Sequence, residues 1–183
     1  KTLNFNAAAS VIRSAGSLVN NGNPITYGGT VSLNYQNTTD IVTGAELPVT
    51  ASALGTFQLN CSASTVKVTL DKNASVNNSN VTITTGTLDL STFTLTRNSG
   101  TSTLTLSGNN SILIVPTSFP SGFNTYTLNA LSTVNYSGAA QTVFATTYGV
   151  LTTSGTGLKS TGGVINATTL NIGSGTTLDP AGN

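Results

Sequence analysis

The sequence predicts an all-β chain and, within that class, a β-solenoid: a parallel β-helix-like stack of short strands. Three observations point there. Apolar and polar residues alternate at period two in many short runs, clusters of Gly, Asn and Ser separate those runs, and the chain resembles itself in two places. Modules of an Ig-like β-sandwich are the alternative. Two features favour the solenoid: Asn, Ser and Thr occupy many turn positions, as stacked coils tolerate, and the internal similarity is what a stacked architecture leaves in a sequence.

Taken in order, the first segment is ambiguous. Asn6 to Leu18, with four alanines, is the one stretch that could form a short helix, although Asn and Gly turns flank it. Val66-Lys67-Val68-Thr69-Leu70 then places three apolar side chains on one strand face. The same alternation recurs at Val81-Thr82-Ile83, Leu88-Asp89-Leu90, Phe93-Thr94-Leu95 and Leu104-Thr105-Leu106, and again at Ile112-Leu113-Ile114 and Leu170-Asn171-Ile172. Between these runs lie Ser99-Gly100, Gly108-Asn109-Asn110, Gly162-Gly163 and Gly173-Ser174-Gly175, which reach left-handed turn conformations at little cost.

The self-similarity divides the chain. Val31-Ser32-Leu33-Asn34-Tyr35 resembles Leu131-Ser132-Thr133-Val134-Asn135-Tyr136, and Ile83-Thr84-Thr85-Gly86-Thr87-Leu88-Asp89 resembles Ile172-Gly173-Ser174-Gly175-Thr176-Thr177-Leu178-Asp179. The expected organisation is a partial repeat over 1–30, a first β-module over 31–130 and a second, shorter one over 131–183. The extra length of the first copy falls around Thr43-Gly44-Ala45-Glu46-Leu47-Pro48. Read tail into head, the two ends resemble the middle of a repeat, and neither carries the polar cap of a finished solenoid.

Composition narrows the functional classes. Only 6% of the 183 residues are charged, the net charge is +1, and 37% are hydrophobic. Lys1, Arg13, Lys67, Lys72, Arg97 and Lys159 are scattered, so neither nucleic acid nor an anionic membrane is an expected partner. No run approaches the ~20 apolar residues of a spanning helix. The first residue is Lys rather than Met and no signal segment is visible, so a processed chain or a fragment is expected.

Chemistry is sparse. There is no His, which removes Ser/His/Asp catalysis and His-ligated zinc, and the single Cys61 is expected to be a buried thiol. The acids are Asp40, Glu46, Asp71, Asp89 and Asp179. Asp89 and Asp179 hold equivalent positions in the two similar segments, which suits a turn-capping role rather than a paired-carboxylate mechanism. Asp71 and Asn73 are conceivable calcium ligands, yet a solvated turn is the simpler expectation. No catalytic, cofactor or metal residue is therefore assigned, and the chain is expected not to be an enzyme.

Three weaker signals remain. Thr-x-Thr triplets at Thr82-Ile83-Thr84, Thr92-Phe93-Thr94, Thr94-Leu95-Thr96, Thr103-Leu104-Thr105 and Thr125-Tyr126-Thr127 could bind ice, but they are irregularly spaced, whereas such an array needs even coils. Tyr27, Tyr35, Tyr126, Tyr136 and Tyr148 could stack on carbohydrate, although half-buried strand positions are the commoner use. Glycosylation sequons occur at Asn37, Asn60, Asn73, Asn77, Asn80, Asn109, Asn135 and Asn166.

The cadence Val134-Asn135-Tyr136-Ser137-Gly138-Ala139-Ala140-Gln141-Thr142-Val143, with Gly86-Thr87-Leu88-Asp89-Leu90 and Gly175-Thr176-Thr177-Leu178-Asp179, resembles elements of repetitive, adhesin-like secreted surface proteins of Bacteroidetes. That resemblance covers about residues 31–183 and implies an extracellular, cell-surface β-repeat protein exported by the type IX route. The expected function is a structural or adhesive module of a long surface stalk or self-assembling filament. Its partners would be neighbouring repeats or identical subunits packed head to tail, with surface glycans as further candidates. The alternative is a ligand-binding adhesin domain for carbohydrate or ice.

Overall fold

The computed structural model describes residues 1–19, 21–23 and 25–180. The chain winds into a β-solenoid of about eight coils, and every strand pairing in it is parallel. The Ig-like alternative requires antiparallel sheets, so it falls.

The first coil contributes β1 (Leu3–Phe5) and β2 (Ala9–Arg13); the second, β3 (Ile25–Tyr27), β4 (Val31–Tyr35) and β5 (Ile41–Val42). Next come β6 (Leu54–Asn60) and β7 (Lys67–Thr69), then β8 (Ala74–Asn77) and β9 (Val81–Asp89). The fifth coil holds β10 (Leu95–Ser99), β11 (Thr103–Leu106) and β12 (Ser111–Val115), and the sixth β13 (Thr125–Leu128) and β14 (Thr133–Tyr136). The last coils supply β15 (Gln141–Val143), β16 (Thr147–Thr153), β17 (Gly157–Thr161), β18 (Asn166–Ile172) and β19 (Thr176–Asp179). The alanine-rich stretch Asn6 to Leu18 holds the strand β2 and no helix. Ala9 and Val11 alternate inward with Ser10 and Ile12 outward, and β4 stacks on them.

The strands line three faces. The first carries three separately paired groups, β1–β3, β8–β10 (which also touches β6 at Leu54–Val76) and β15–β17–β19, and the second is formed by β2, β4, β6, the first half of β9, β11 and β13. The third is formed by β5, β7, the second half of β9, β12, β14, β16 and β18. β9 serves two faces because it bends at Gly86, whose φ of 116° is a conformation that side chains rarely adopt. A Cβ there would also press on the Cys61 side chain.

Stacking places like on like. On the third face one inward column runs Ile41, Val68, Leu88, Leu113, Val134, Leu151, Leu170. On the second, Val11, Leu33, Phe57, Val81, Leu104 and Tyr126 stack. Most members are fully buried and fuse into one core. Each buried Leu or Val contributes about 1.5–3 kcal/mol relative to exposure, so the interior column is the main stabilising device. The Ile112-Leu113-Ile114 run is inverted relative to the expected pattern: Leu113 points inward with Ser111 and Val115, and the two isoleucines lie outward.

Coil length is not constant. Leu3 lies opposite Ile25, Ile41 opposite Val68, and Thr133 opposite Val150, so the step from coil to coil varies and its shortest value lies in the C-terminal part. The corners absorb the differences and are clipped by Asx side chains. Asn73 Oδ1 accepts from the Thr94 N–H and Asn80 Oδ1 from the Thr103 N–H, both at 2.9 Å, and Asp40 Oδ1 accepts from the Lys67 N–H at 2.9 Å. Hydrogen-bonded ladders cross 30/31 and 130/131 without interruption, through β2–β4 and β12–β14. Tyr35 lies on the second face and Tyr136 on the third, so the structural repeat is the single coil.

Candidate functional site

The surfaces that stand out are the two ends of the stack. In the last coil every residue of β18 is exposed, although Leu151, directly beneath Leu170, is fully buried. Leu170 is 47% exposed and Ile172 54%, and Leu158 and Val164 join them. At the opposite end Leu3, Ile12 and Val19 are exposed. The inward apolar column therefore opens at the last coil. An open strand edge with an apolar face beside it is a template for further strand pairing.

Just inside the first end lies a buried charge network. The Arg13 Nη1 donates to Glu46 Oε1 at 2.6 Å and to the Val42 carbonyl at 2.7 Å, while its Nε and Nη2 donate to the Gly16 carbonyl. The Tyr35 hydroxyl and the Gly44 N–H converge on the same Glu46 oxygen, each at 3.1 Å. Burial first, then the Glu46 carboxylate, pushes the Tyr35 hydroxyl far above its ordinary value. Arg13 belongs to the inward column Arg13, Tyr35, Leu59, Ile83, so the network fills space that hydrocarbon fills farther along.

Near the other end Lys159 is fully buried. Its ammonium donates to the carbonyls of Gly138 (2.5 Å), Ala139 and Thr156 (3.1 Å), and burial lowers its pKa. It forms none of the three ion pairs found among the described residues.

The residues singled out in the sequence are dispersed. Asp89 Oδ1 accepts from the Ser91 N–H, closing its own turn, on the third face; Asp179 lies in β19 on the first, so the two are not structurally equivalent. Asp71 Oδ1 accepts from the Thr43 hydroxyl at 2.6 Å and Asn73 accepts from Thr94, so both candidate calcium ligands already hold inter-coil hydrogen bonds. Among the described residues no three His, Cys, Asp or Glu side chains are grouped to hold a metal. Cys61 is buried just after β6, and burial raises its pKa. Asn37 is wholly buried, which removes that sequon from the surface.

Tyr35, Tyr136 and Tyr148 are buried and offer no platform, whereas the exposed aromatic ring is Phe144, which the sequence did not single out. The threonine triplets fare better than their spacing suggested. Thr103 and Thr105 lie directly opposite Thr125 and Thr127, with Thr82 beneath Thr105, because corner lengths vary while strands stay in register.

Comparison with protein-family models, curated proteins and solved structures finds no match for this chain.

Proposed function

We propose that the chain is a non-enzymatic structural module of an extracellular, cell-surface stalk or filament, in which coils of neighbouring repeats or of identical subunits stack head to tail on its two ends. The observation that carries this reading is the contrast between Leu151, fully buried, and Leu170 stacked on it, half exposed. Another coil stacked on this face would cover the last member of the inward apolar column. A low-charge surface and a continuous parallel core suit a stiff spacer, because each coil gains stability from its neighbours. Measuring whether the 183-residue chain assembles end to end tests the reading.

A second reading rests on the aligned hydroxyls of Thr82, Thr103, Thr105, Thr125 and Thr127 on the outer side of the second face. Parallel strands about 4.8 Å apart, with alternate residues about 6.6 Å apart, present these groups as a small regular grid that can order water. The grid predicts ice shaping and a freezing-point gap that disappear in Thr105→Lys. An unchanged gap in that variant, or none in the parent chain, removes this reading.

A further inference from the structure

Phe144 is 36% exposed, yet its backbone is held from within. Its N–H donates to the Tyr136 hydroxyl at 3.0 Å, and its carbonyl accepts from the Tyr148 hydroxyl at 2.6 Å. The two tyrosine oxygens are 2.9 Å apart. Each hydroxyl has a single hydrogen, and that of Tyr148 is committed to Phe144, so Tyr136 donates to Tyr148 and closes a ring of three hydrogen bonds. The Phe144 side chain then stacks on Phe119 with ring centres 4.9 Å apart and planes 9° apart, and it meets Tyr126 at 5.0 Å. An aromatic ring at the surface is thus fixed by its backbone and by its neighbours.

That ring borders a cleft of about 500 Å³. The wall continues through Gln141, which is also immobilised: its Oε1 accepts from the Gly138 N–H and its Nε2 donates to the carbonyls of Val115 and Thr117. The rim carries the exposed residues Thr117, Ser118 and Thr142. Among the described residues no charged side chain lines the cleft, and the Lys159 ammonium is turned inward onto carbonyls.

We propose that this cleft binds a neutral saccharide, with one sugar ring laid against Phe144 and its hydroxyls meeting the rim. The chemistry follows from the lining. A pyranose has an apolar C–H face that suits an aromatic surface, and hydroxyl edges that suit Ser and Thr. An anionic ligand would find no cation here. Because the ring and Gln141 are fixed before binding, little ordering cost is left for the complex. None of the exposed end residues Leu158, Val164, Leu170 and Ile172 lines the cleft, so this proposal and the stacking of ends are tested separately.

The experiment is amide NMR of the isotopically labelled chain, titrated to millimolar concentrations with lactose, cellobiose, maltose and diacetylchitobiose, and with a galacturonate dimer as the charged counterpart. At least one neutral disaccharide is expected to shift the amides of Ser118, Gln141, Thr142, Phe144 and Ala145 and leave those of Leu3, Leu170 and Ile172 unmoved. Phe144→Ala should weaken that binding by about tenfold or more, the loss typical of a truncated aromatic anchor. Phe144→Leu keeps apolar bulk without the flat ring and should weaken it as well, which guards against an effect of misfolding. The proposal is overturned if no neutral disaccharide shifts these amides, if the galacturonate dimer binds equally well, or if both Phe144 variants bind like the parent.

Discussion

Arg13 and Glu46, 33 residues apart in the chain, meet at 2.6 Å in the interior of the first coils, where Tyr35 and the Gly44 N–H share the same carboxylate oxygen. A buried pair of this kind contributes little net stability compared with hydrocarbon, but removing one partner strands the other. Glu46→Gln should therefore cost about 3–5 kcal/mol. Because coils support only their neighbours, the loss should appear in hydrogen exchange as early opening of residues 1–60 while β12, β14 and β16 stay protected. Replacing both groups, Arg13→Met with Glu46→Leu, should recover most of the loss.

The core and the corners fail differently. Leu88 is fully buried between Val68 and Leu113, and Leu88→Ala should lower unfolding stability by about 2–5 kcal/mol through the cavity it leaves. Gly149→Ala acts by the opposite route. Its Cβ would strike the backbone of Asn129 and Ala130 one coil below, forcing the coils apart at a cost of about 1–3 kcal/mol or more. Gly108→Ala, where nothing lies within 4 Å, is the control and should change the denaturation midpoint little.

Alkaline pH should find the three buried tyrosines. Burial is the leading cause of raised pKa at Tyr35, Tyr136 and Tyr148, and it pushes Tyr136 up to about 12 from the ordinary 10.0. Their neutral forms are favoured in the fold, so this stability is fully present below pH 10 and is lost as pH rises through the folded values. Above pH 10 each such tyrosine withdraws about 1.4 kcal/mol per pH unit until its folded pKa is reached. Thermal melts between pH 8 and 12 should show a flat melting temperature that falls steeply beyond 10. The fall should be shallower in Tyr148→Phe.

Much of this architecture is legible in the chain itself. Period-two alternation locates β7, β9 and β11, and the Gly and Asn clusters locate the corners, because both signals are local. Register is not local. The step from one coil to the next changes along the chain, so no fixed period aligns Thr103 with Thr125 or Leu88 with Leu113. Nor does alternation assign a face where every residue is apolar, as at Ile112-Leu113-Ile114, or when the interior side of the last coil faces water, as at Leu170. The Arg13–Glu46 pair and the Phe144 clamp are contacts between coils, invisible until the winding is known.

The end-to-end stacking of coils is tested most directly by sedimentation and solution scattering of the 183-residue chain over a range of concentrations, beside the double variant Leu170→Lys, Ile172→Lys. The parent should form particles of constant cross-section whose length grows with concentration. The variant should remain monomeric with an unchanged unfolding midpoint, since both side chains are already half exposed. A parent chain that stays a compact monomer throughout, or assemblies that persist unchanged in the variant, would contradict the account.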